Sequence, residues 1–347
     1  LDLTLEPDPG DTIAYAIGRS DIRVTARAGT FGLTAALKSS GTLRLISPFS
    51  LDSTFAFVSP RVASDGVEHS LDALTIAAAG RLDGSAGDFA VSRLEAASPG
   101  LLDLKGTAAG RLGTSIFVEA ETRARFDNLE RAAALLGPRL PAALGRARLR
   151  GRAELSGKYG LHRTGRESTD VIDATLSVQD IEFDHFVGGR PVRVRADGRI
   201  AAAGPSRDLR FSADIRSTLG KLSVSGLSVS GADLRLVAAG TRSAVSVSRL
   251  EARLSNPAYE PAEGRTVSFT TATLSAKGAL DLAAQNATLT SLEARLPGLS
   301  PLRLSGRLGF GKSRSARLEF ESRGLDLAAL RTIASPFLPA AFSGWED

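Results

Sequence analysis

The chain has 347 residues, with 43 Lys or Arg against 38 Asp or Glu, 35 Gly, 15 Pro and neither Cys nor Met. Without cysteine there is no disulfide scaffold, thiolate metal site or cysteine nucleophile, and three histidines remain for imidazole chemistry. The length suggests two domains or one elongated repeat array, and an apolar fraction of 43% excludes a wholly disordered chain.

The formal net charge of +5 does not indicate nucleic-acid binding once the basic residues are located. In 146–152 and 193–199, arginines occupy most alternate positions, which places them on one face of a strand with apolar or small residues on the other. We interpret these arginines as a solvated sheet face, although they could also meet phosphate headgroups. With three Tyr and one Trp, the aromatic stacking platforms of a nucleic-acid site are missing.

Along the chain, apolar residues recur at every second position in short runs that Gly or Ser-Gly pairs interrupt. This pattern predicts half-buried β-strands joined by turns or bulges, from Ile22 and Val24 near the beginning to Leu318 and Phe320 near the end. A turn signal every 8 to 12 residues or so leaves room for roughly 25 to 30 strands.

Two segments depart from this rhythm and predict short helices. The first covers residues 127–136, where Asp127 or Asn128 is the cap and Gly137-Pro138 the end. The second covers residues 326–334, from a cap at Asp326 to a stop at Ser335-Pro336.

The sequence also contains an internal repeat. Leu94–Gly100 aligns with Leu292–Gly298, and the same order of strand, short helix and Leu-Pro-Ala-Ala exit follows each copy, at an offset of about 198 residues. The hexapeptide Val91–Ala96 recurs unchanged at Val247–Ala252, which indicates a shorter nested repeat. We predict two units, 1–157 and 158–347, each ending in one of the helices.

One-sided strands must bury their apolar face, and two short helices cannot cover so many strands. We therefore predict a mostly β fold: an elongated, twisted antiparallel sheet curled into an open hydrophobic groove, a β-taco, with two short helices. The residues predicted to face the groove are Val192, Val194, Leu222, Val224, Leu227, Val229, Leu234, Leu236, Leu302, Leu304, Leu308, Phe310, Leu318 and Phe320.

The unit of amphipathic strands followed by Leu325–Leu330 and Phe337-Leu338-Pro339 resembles the AsmA-like proteins, which belong with TamB and, more distantly, with bridge-like lipid transfer proteins. The resemblance implies a periplasmic segment of an envelope protein, anchored to the inner membrane by a segment outside this sequence. It further implies that the groove conducts phospholipid between inner and outer membranes or supports outer-membrane assembly, with other envelope proteins as possible partners at its ends.

Enzymatic chemistry is not predicted, and we assign no catalytic residue, metal or cofactor. Asp184 and His185 point to opposite strand faces, and Gly306–Ser313 satisfies the phosphate-loop pattern but is followed by an alternating strand instead of a helix. Two alternatives to the lipid conduit remain open: a structural or adhesive β-repeat protein with a sealed core, and a scaffold subunit of a larger envelope complex.

Overall fold

The structure is a computed structural model, and it describes residues 3–8, 12–17, 23–28, 31–45, 47–64, 67–136, 149–165, 167–187, 190–224, 226–260, 266–298, 300–310 and 315–322. Within these residues the fold is mostly β, as predicted, with 20 strands in one large antiparallel sheet and four in a second, small sheet. The second predicted helix, 326–334, and both Leu-Pro-Ala-Ala exits lie outside the described residues.

Internal contacts divide the chain into unit 1, Leu1–Ile181 with Ala201–Leu209, and unit 2, Glu182–Ile200 with Arg210–Asp347. The repeat boundary predicted at residues 157 and 158 concerns the sequence and stays a prediction.

The strands assigned wholly to unit 1 form antiparallel pairs, and one helix interrupts them. They are β1 (Leu3–Asp8), β2 (Thr12–Ile17), β3 (Arg23–Ala28), β4 (Phe31–Arg44), β5 (Phe49–Ser64), β6 (Val67–Ser70), β7 (Ala73–Leu82), β8 (Asp88–Ser98), β9 (Leu102–Arg111), β10 (Ser115–Phe126) and β11 (Arg150–Thr164), with helix α1 (Leu129–Leu136) between the last two. From β7 to β11, each strand pairs with the next one along the chain.

Two strands, β12 (Glu167–Val187) and β13 (Arg190–Gly204), contribute residues to both units, and a short 3-10 turn (Ser206–Asp208) follows them. The remaining strands belong to unit 2. They are β14 (Arg210–Leu219), β15 (Leu222–Val224), β16 (Leu227–Val229), β17 (Gly231–Gly240), β18 (Ala244–Ser255), β19 (Ala258–Tyr259), β20 (Val267–Ser268), β21 (Thr271–Asp281), β22 (Asn286–Arg295), β23 (Leu302–Gly309) and β24 (Ser315–Ser322).

In unit 2 the ladder runs β14, β17, β18, β21, β22, β23, β24, all antiparallel. The short strands β15, β16, β19 and β20 are inserted in the connections that leave β14 and β18, and they pair with one another in the small sheet. Within the described part of the chain, β24 pairs only with β23, so the large sheet is not closed.

Helix α1 begins as the sequence predicts, because Asn128 caps it. The Arg131 backbone N–H donates to Asn128 Oδ1 at 2.9 Å, and the Asn128 carbonyl accepts from the Ala132 N–H at 3.0 Å. The helix places Ala132 in a buried cluster with Leu71 and Leu101, against which other apolar side chains of unit 1 pack. This cluster lies where connections between strands meet, so the helix covers one end of the sheet in unit 1.

Strands β8, β18 and β22 of the large sheet each carry one extra residue. The four residues of β8 from Val91 to Leu94 lie opposite only three residues of β9, and β18 and β22 show the same shift between Val247 and Leu250 and between Leu289 and Leu292. Such β-bulges change which side chains face each side of the sheet and increase local twist. The two copies of the repeated hexapeptide therefore encode the same backbone irregularity.

A serine hydroxyl of the hexapeptide bonds to the preceding strand at two of these bulges. Ser92 Oγ donates to the Ala79 carbonyl at 3.3 Å, and Ser248 Oγ donates to the Val237 carbonyl at 3.2 Å. A bulge disturbs the regular backbone hydrogen bonding between strands. The serine hydroxyl therefore supplies a hydrogen-bond donor to a backbone carbonyl next to the bulge.

Candidate functional site

The candidate site is the apolar face of the sheet, which we describe first in unit 2. Residues that are directly opposite on neighbouring strands lie on the same face of the sheet. One row of such partners contains only apolar side chains across seven consecutive strands: Ile215, Leu236, Leu250, Ala276, Leu292, Leu304 and Phe320. At a spacing of about 4.8 Å per strand, this central apolar row is about 29 Å long.

The rows on either side are also free of charge among the described positions. One contains Ser217, Leu234, Ala252, Leu274, Ala294 and Leu302, and the other contains Ala213, Ala238, Val247, Gly278, Leu289, Gly306 and Leu318. The bulges of β18 and β22 maintain this separation, because Val247 and Leu250 face the same side although three positions separate them.

This face is only partly covered. Leu250 of the central apolar row is 39% exposed, and exposure rises at the last strand, to 50% for Leu318 and 60% for Phe320. Leucine and phenylalanine side chains left open on an uncharged surface usually mark a contact surface, because contiguous apolar patches are uncommon on soluble monomers.

The structure distributes the predicted residues over four environments, three of them on or beside strands of the large sheet and one in the small sheet. On the large sheet, Leu234, Leu236, Leu302, Leu304, Leu308, Leu318 and Phe320 share the apolar face of unit 2. Val192 and Val194 of β13 are buried, at 4% and 8% exposure. Phe310 follows the end of β23 instead of continuing the strand, and its backbone N–H donates to the Gln285 carbonyl at 3.0 Å.

The other four predicted residues belong to the small sheet, not to the large one. Leu222 pairs with Val229 and Val224 with Leu227 across the β15–β16 hairpin. Val229 is buried whereas Leu227 is 45% exposed. Local alternation predicts the strands correctly but does not determine which sheet they join, because that depends on the Ala258–Tyr259 strand far along the sequence.

Unit 1 has an apolar face of the same kind. Its strands β5 and β7 to β11 place Phe55, Ile76, Ala96, Leu104, Ala124 and Leu155 in one row of directly opposed partners. Leu94 and Tyr159, on the next two rows of this face, are each 40% exposed. Sequence reasoning did not include these residues, although their alternation is as regular as that of unit 2.

The opposite, polar face carries the charged residues, and ion pairs across strands connect them. Arg235 makes a two-point contact with Asp214, at 3.3 and 3.0 Å, and Arg195 lies 3.7 Å from Glu182. In unit 1 Arg111 makes a two-point contact with Asp88, at 2.6 and 3.1 Å. These pairs support the solvated-face interpretation of the basic residues.

Glu293 is a well enclosed acidic group of this face, with 18% of its side chain exposed. Hydrogen bonds from Arg295 and then Arg303 lower the pKa of its carboxyl group. The hydrogen bonds from Arg235 and Arg111 likewise lower the pKa of Asp214 and of Asp88. All three carboxylates therefore stay ionised around neutral pH and fix the positions of their arginines.

The two largest cavities that the structure describes open on the polar face. The cavity of unit 2 measures about 640 Å³, and its lining combines charged residues such as Arg216 and Arg253 with Leu234 and Leu274. The cavity of unit 1 measures about 760 Å³ and has a mixed lining that includes Phe117 and Val171. A cavity along the apolar face is not among those described, so the curled groove expected from the sequence is not confirmed.

In the described part of the chain, the His, Asp and Glu side chains include no group of three that could hold a metal ion. The segment after the phosphate-loop pattern is strand β24, as predicted, and Gly311–Ser313 lie outside the described residues. None of the described helices has the length and apolar character needed to cross a membrane.

Comparison with known proteins gives no match to a family model, to a curated protein or to a solved structure. The resemblance to the AsmA-like proteins therefore stays a prediction that rests on the sequence pattern.

Proposed function

We propose that the apolar face binds lipid acyl chains and that the chain is a periplasmic segment of an envelope protein anchored to the inner membrane outside this sequence. The observation that carries the proposal is the central apolar row, which crosses seven strands of unit 2 without a charged side chain. In this proposal the face conducts phospholipid between inner and outer membranes or supports outer-membrane assembly, with envelope proteins at its ends.

The energetic reason is the cost of moving hydrocarbon through water. Each exposed methylene costs about 0.8 kcal/mol, so a two-tailed lipid needs a continuous apolar surface along its route. A row perpendicular to the strands gives such a surface, because each new strand adds one more apolar position beside the last. Leu and Val side chains contact hydrocarbon and have no group that selects a headgroup, so we expect weak discrimination among phospholipids.

We further propose that the sheet of unit 2 curls around this face to form the groove. Support comes from glycines on the apolar side where neighbouring backbone approaches closely. A Cβ at Gly278 would lie 2.5 Å from the Thr288 carbonyl oxygen, and one at Gly306 would lie even closer to the Arg317 oxygen. Gly306 also has φ +153°, in the region that favours glycine. Glycine kinks beside bulges are the positions at which sheets bend.

The test combines lipid recovery with site-specific photo-crosslinking. A photo-reactive residue at Leu236 or Leu304 faces the apolar side, whereas one at the adjacent Arg235 or Ser305 faces the polar side and is the matched control. The natively purified protein is expected to yield phospholipid by mass spectrometry, crosslinked at Leu236 and Leu304 and not at the controls. Equal crosslinking on both faces, or no lipid at all, would contradict the proposal.

A structural β-repeat protein with a sealed core is the second candidate. The burial of Val192, Val194 and Val229 favours it, as does the position of the two largest described cavities on the polar face. It predicts no recovered lipid, together with protection of Leu236 and Leu304 from a solvent-borne carbene label. The conduit predicts that both positions become labelled once lipid has been extracted.

A further inference from the structure

The polar face of unit 1 contains one patch that does not fit its surroundings. Charged residues occupy most of this face, yet the 760 Å³ cavity is lined by the aromatic ring of Phe117 and by Val171, which are 43% and 53% exposed. Both side chains therefore leave a large part of their apolar surface open on an otherwise charged and hydrated face. A concave site of a few hundred Å³ with apolar walls and few polar groups is typical of small-molecule binding.

Small residues create the floor of this cavity. Ala109 and Gly160 are the direct strand neighbours of Glu119, one on each side, so no bulky side chain shields the carboxylate laterally. Phe117 precedes Glu119 by two positions on β10 and therefore faces the same side. The His162 ring packs against Phe117 in a T-shaped arrangement, with centroids 6.4 Å apart and planes at 75°, which holds the aromatic wall in place.

The charge of the cavity is negative, although the net charge of the chain is positive. Its lining contains Glu119, Glu121 and Asp173 against one permanent cation, Lys158, which lies 3.7 Å from Glu121. Within the described residues, the Glu119 and Asp173 side chains make no ion pair. A ligand that enters the cavity therefore meets an aromatic ring and two carboxylates that make no ion pair with any described cation.

We propose that this cavity binds an organic cation of small-molecule size, with an aromatic or alkyl body and an ammonium or iminium charge. The body packs on Phe117 and Val171, and the charge lies by Glu119, where the carboxylate attracts it and the Phe117 ring adds a cation–π contact. Phospholipid acyl chains have no positive group and bind on the other face of the sheet, so this site is independent of the proposed lipid surface.

The experiment uses two fluorescent probes that share one ring system and differ in charge. Rhodamine 6G is cationic and fluorescein is anionic, and both are titrated with the whole protein by fluorescence anisotropy. We expect rhodamine 6G to bind with a stoichiometry of one and fluorescein to bind at least about tenfold more weakly, because like charges repel in the cavity.

Two variants and two controls locate the bound probe. Glu119→Gln and Phe117→Ala are each expected to weaken rhodamine 6G binding about two- to fivefold, as for the loss of an exposed ion pair or a cation–π contact. Glu319→Gln removes an exposed acid from unit 2, and Leu304→Asp interrupts the apolar face, so neither is expected to change binding. Circular dichroism confirms that each variant retains its strands.

Three results would overturn the inference: unchanged affinity of Glu119→Gln, equal binding of the two dyes, or a Leu304→Asp variant that alone loses the dye. The last result would place the dye on the apolar face. None of these results bears on lipid recovery, so the two proposals fail independently.

Discussion

A carboxylate placed in the centre of the apolar row distinguishes an open lipid surface from a sealed core. Leu292 lies between Ala276 and Leu304 in the central apolar row and is half-buried. Full burial of a leucine contributes about 1.5 to 3 kcal/mol, so Leu292→Asp should lower the free energy of unfolding by about 1 to 2 kcal/mol if the face is open. An ionised carboxylate then remains hydrated and avoids the larger penalty of a dry interior.

The matched control is Ser291→Asp, on the same strand but on the polar face, where the new carboxylate lies opposite Lys277. Urea unfolding followed by circular dichroism measures stability, and the phospholipid recovered per protein measures binding. We expect Leu292→Asp to fold and to lose most of its lipid, whereas Ser291→Asp retains both. A decrease of more than about 4 kcal/mol in the free energy of unfolding of Leu292→Asp would refute the open surface, because losses of that size are typical of substitutions in packed cores. Undiminished lipid in a folded Leu292→Asp variant would refute the binding.

Three further predictions concern stability. Gly278→Ala should cost about 1 to 3 kcal/mol in urea unfolding, because its Cβ meets the Thr288 oxygen, whereas Gly160→Ala, with no atom within 4 Å of its Cβ, should be close to neutral; equal midpoints would contradict this. Asn128→Ala should cost about 1 kcal/mol and speed hydrogen exchange in α1, since the cap is lost; unchanged exchange would show that the cap does not stabilise the helix. Because the pKa of Asp214 and that of Glu293 are lowered in the folded protein, the unfolded chain binds protons more tightly, so the thermal midpoint should be constant from about pH 7 to 5 and fall below about pH 4. A rise in the midpoint on acidification would reverse the assigned sign.

The periodic parts of the fold could be predicted from sequence because they depend on neighbours along the chain. Alternation gave the strands and separated the arginines of 193–199 from Val192 and Val194 on the opposite face. Capping chemistry gave α1, with Asn128 as the residue that bonds the first turn. Both signals act over a few residues, so no knowledge of distant partners was needed.

Features that depend on distant segments could not be predicted in the same way. The sequence of the hairpin from Leu222 to Val229 has the same alternation as the strands of the large sheet. The hairpin nevertheless pairs with a two-residue strand that begins at Ala258. The polar-face cavity of unit 1 exists because Ala109, Glu119 and Gly160 become neighbours only through strand register. The register cannot be predicted from a single sequence, because it depends on where the bulges shift the pairing between strands.

The bulges also determine what a one-residue deletion would do. In β18 the residues on the apolar face have odd numbers up to Val247 and even numbers from Leu250 onward. The extra residue between them causes this shift. Removal of Ser248 would delete the extra residue, so that Val247, Leu250, Ala252 and Leu254 would fall at every second position and remain on the apolar face without a bulge. Arg253 would remain on the polar face, and the strand would lose the local twist that the bulge introduces. The extra residue of the hexapeptide therefore determines the local bend of the strand, whereas the alternation on either side of it determines which side chains face the apolar side.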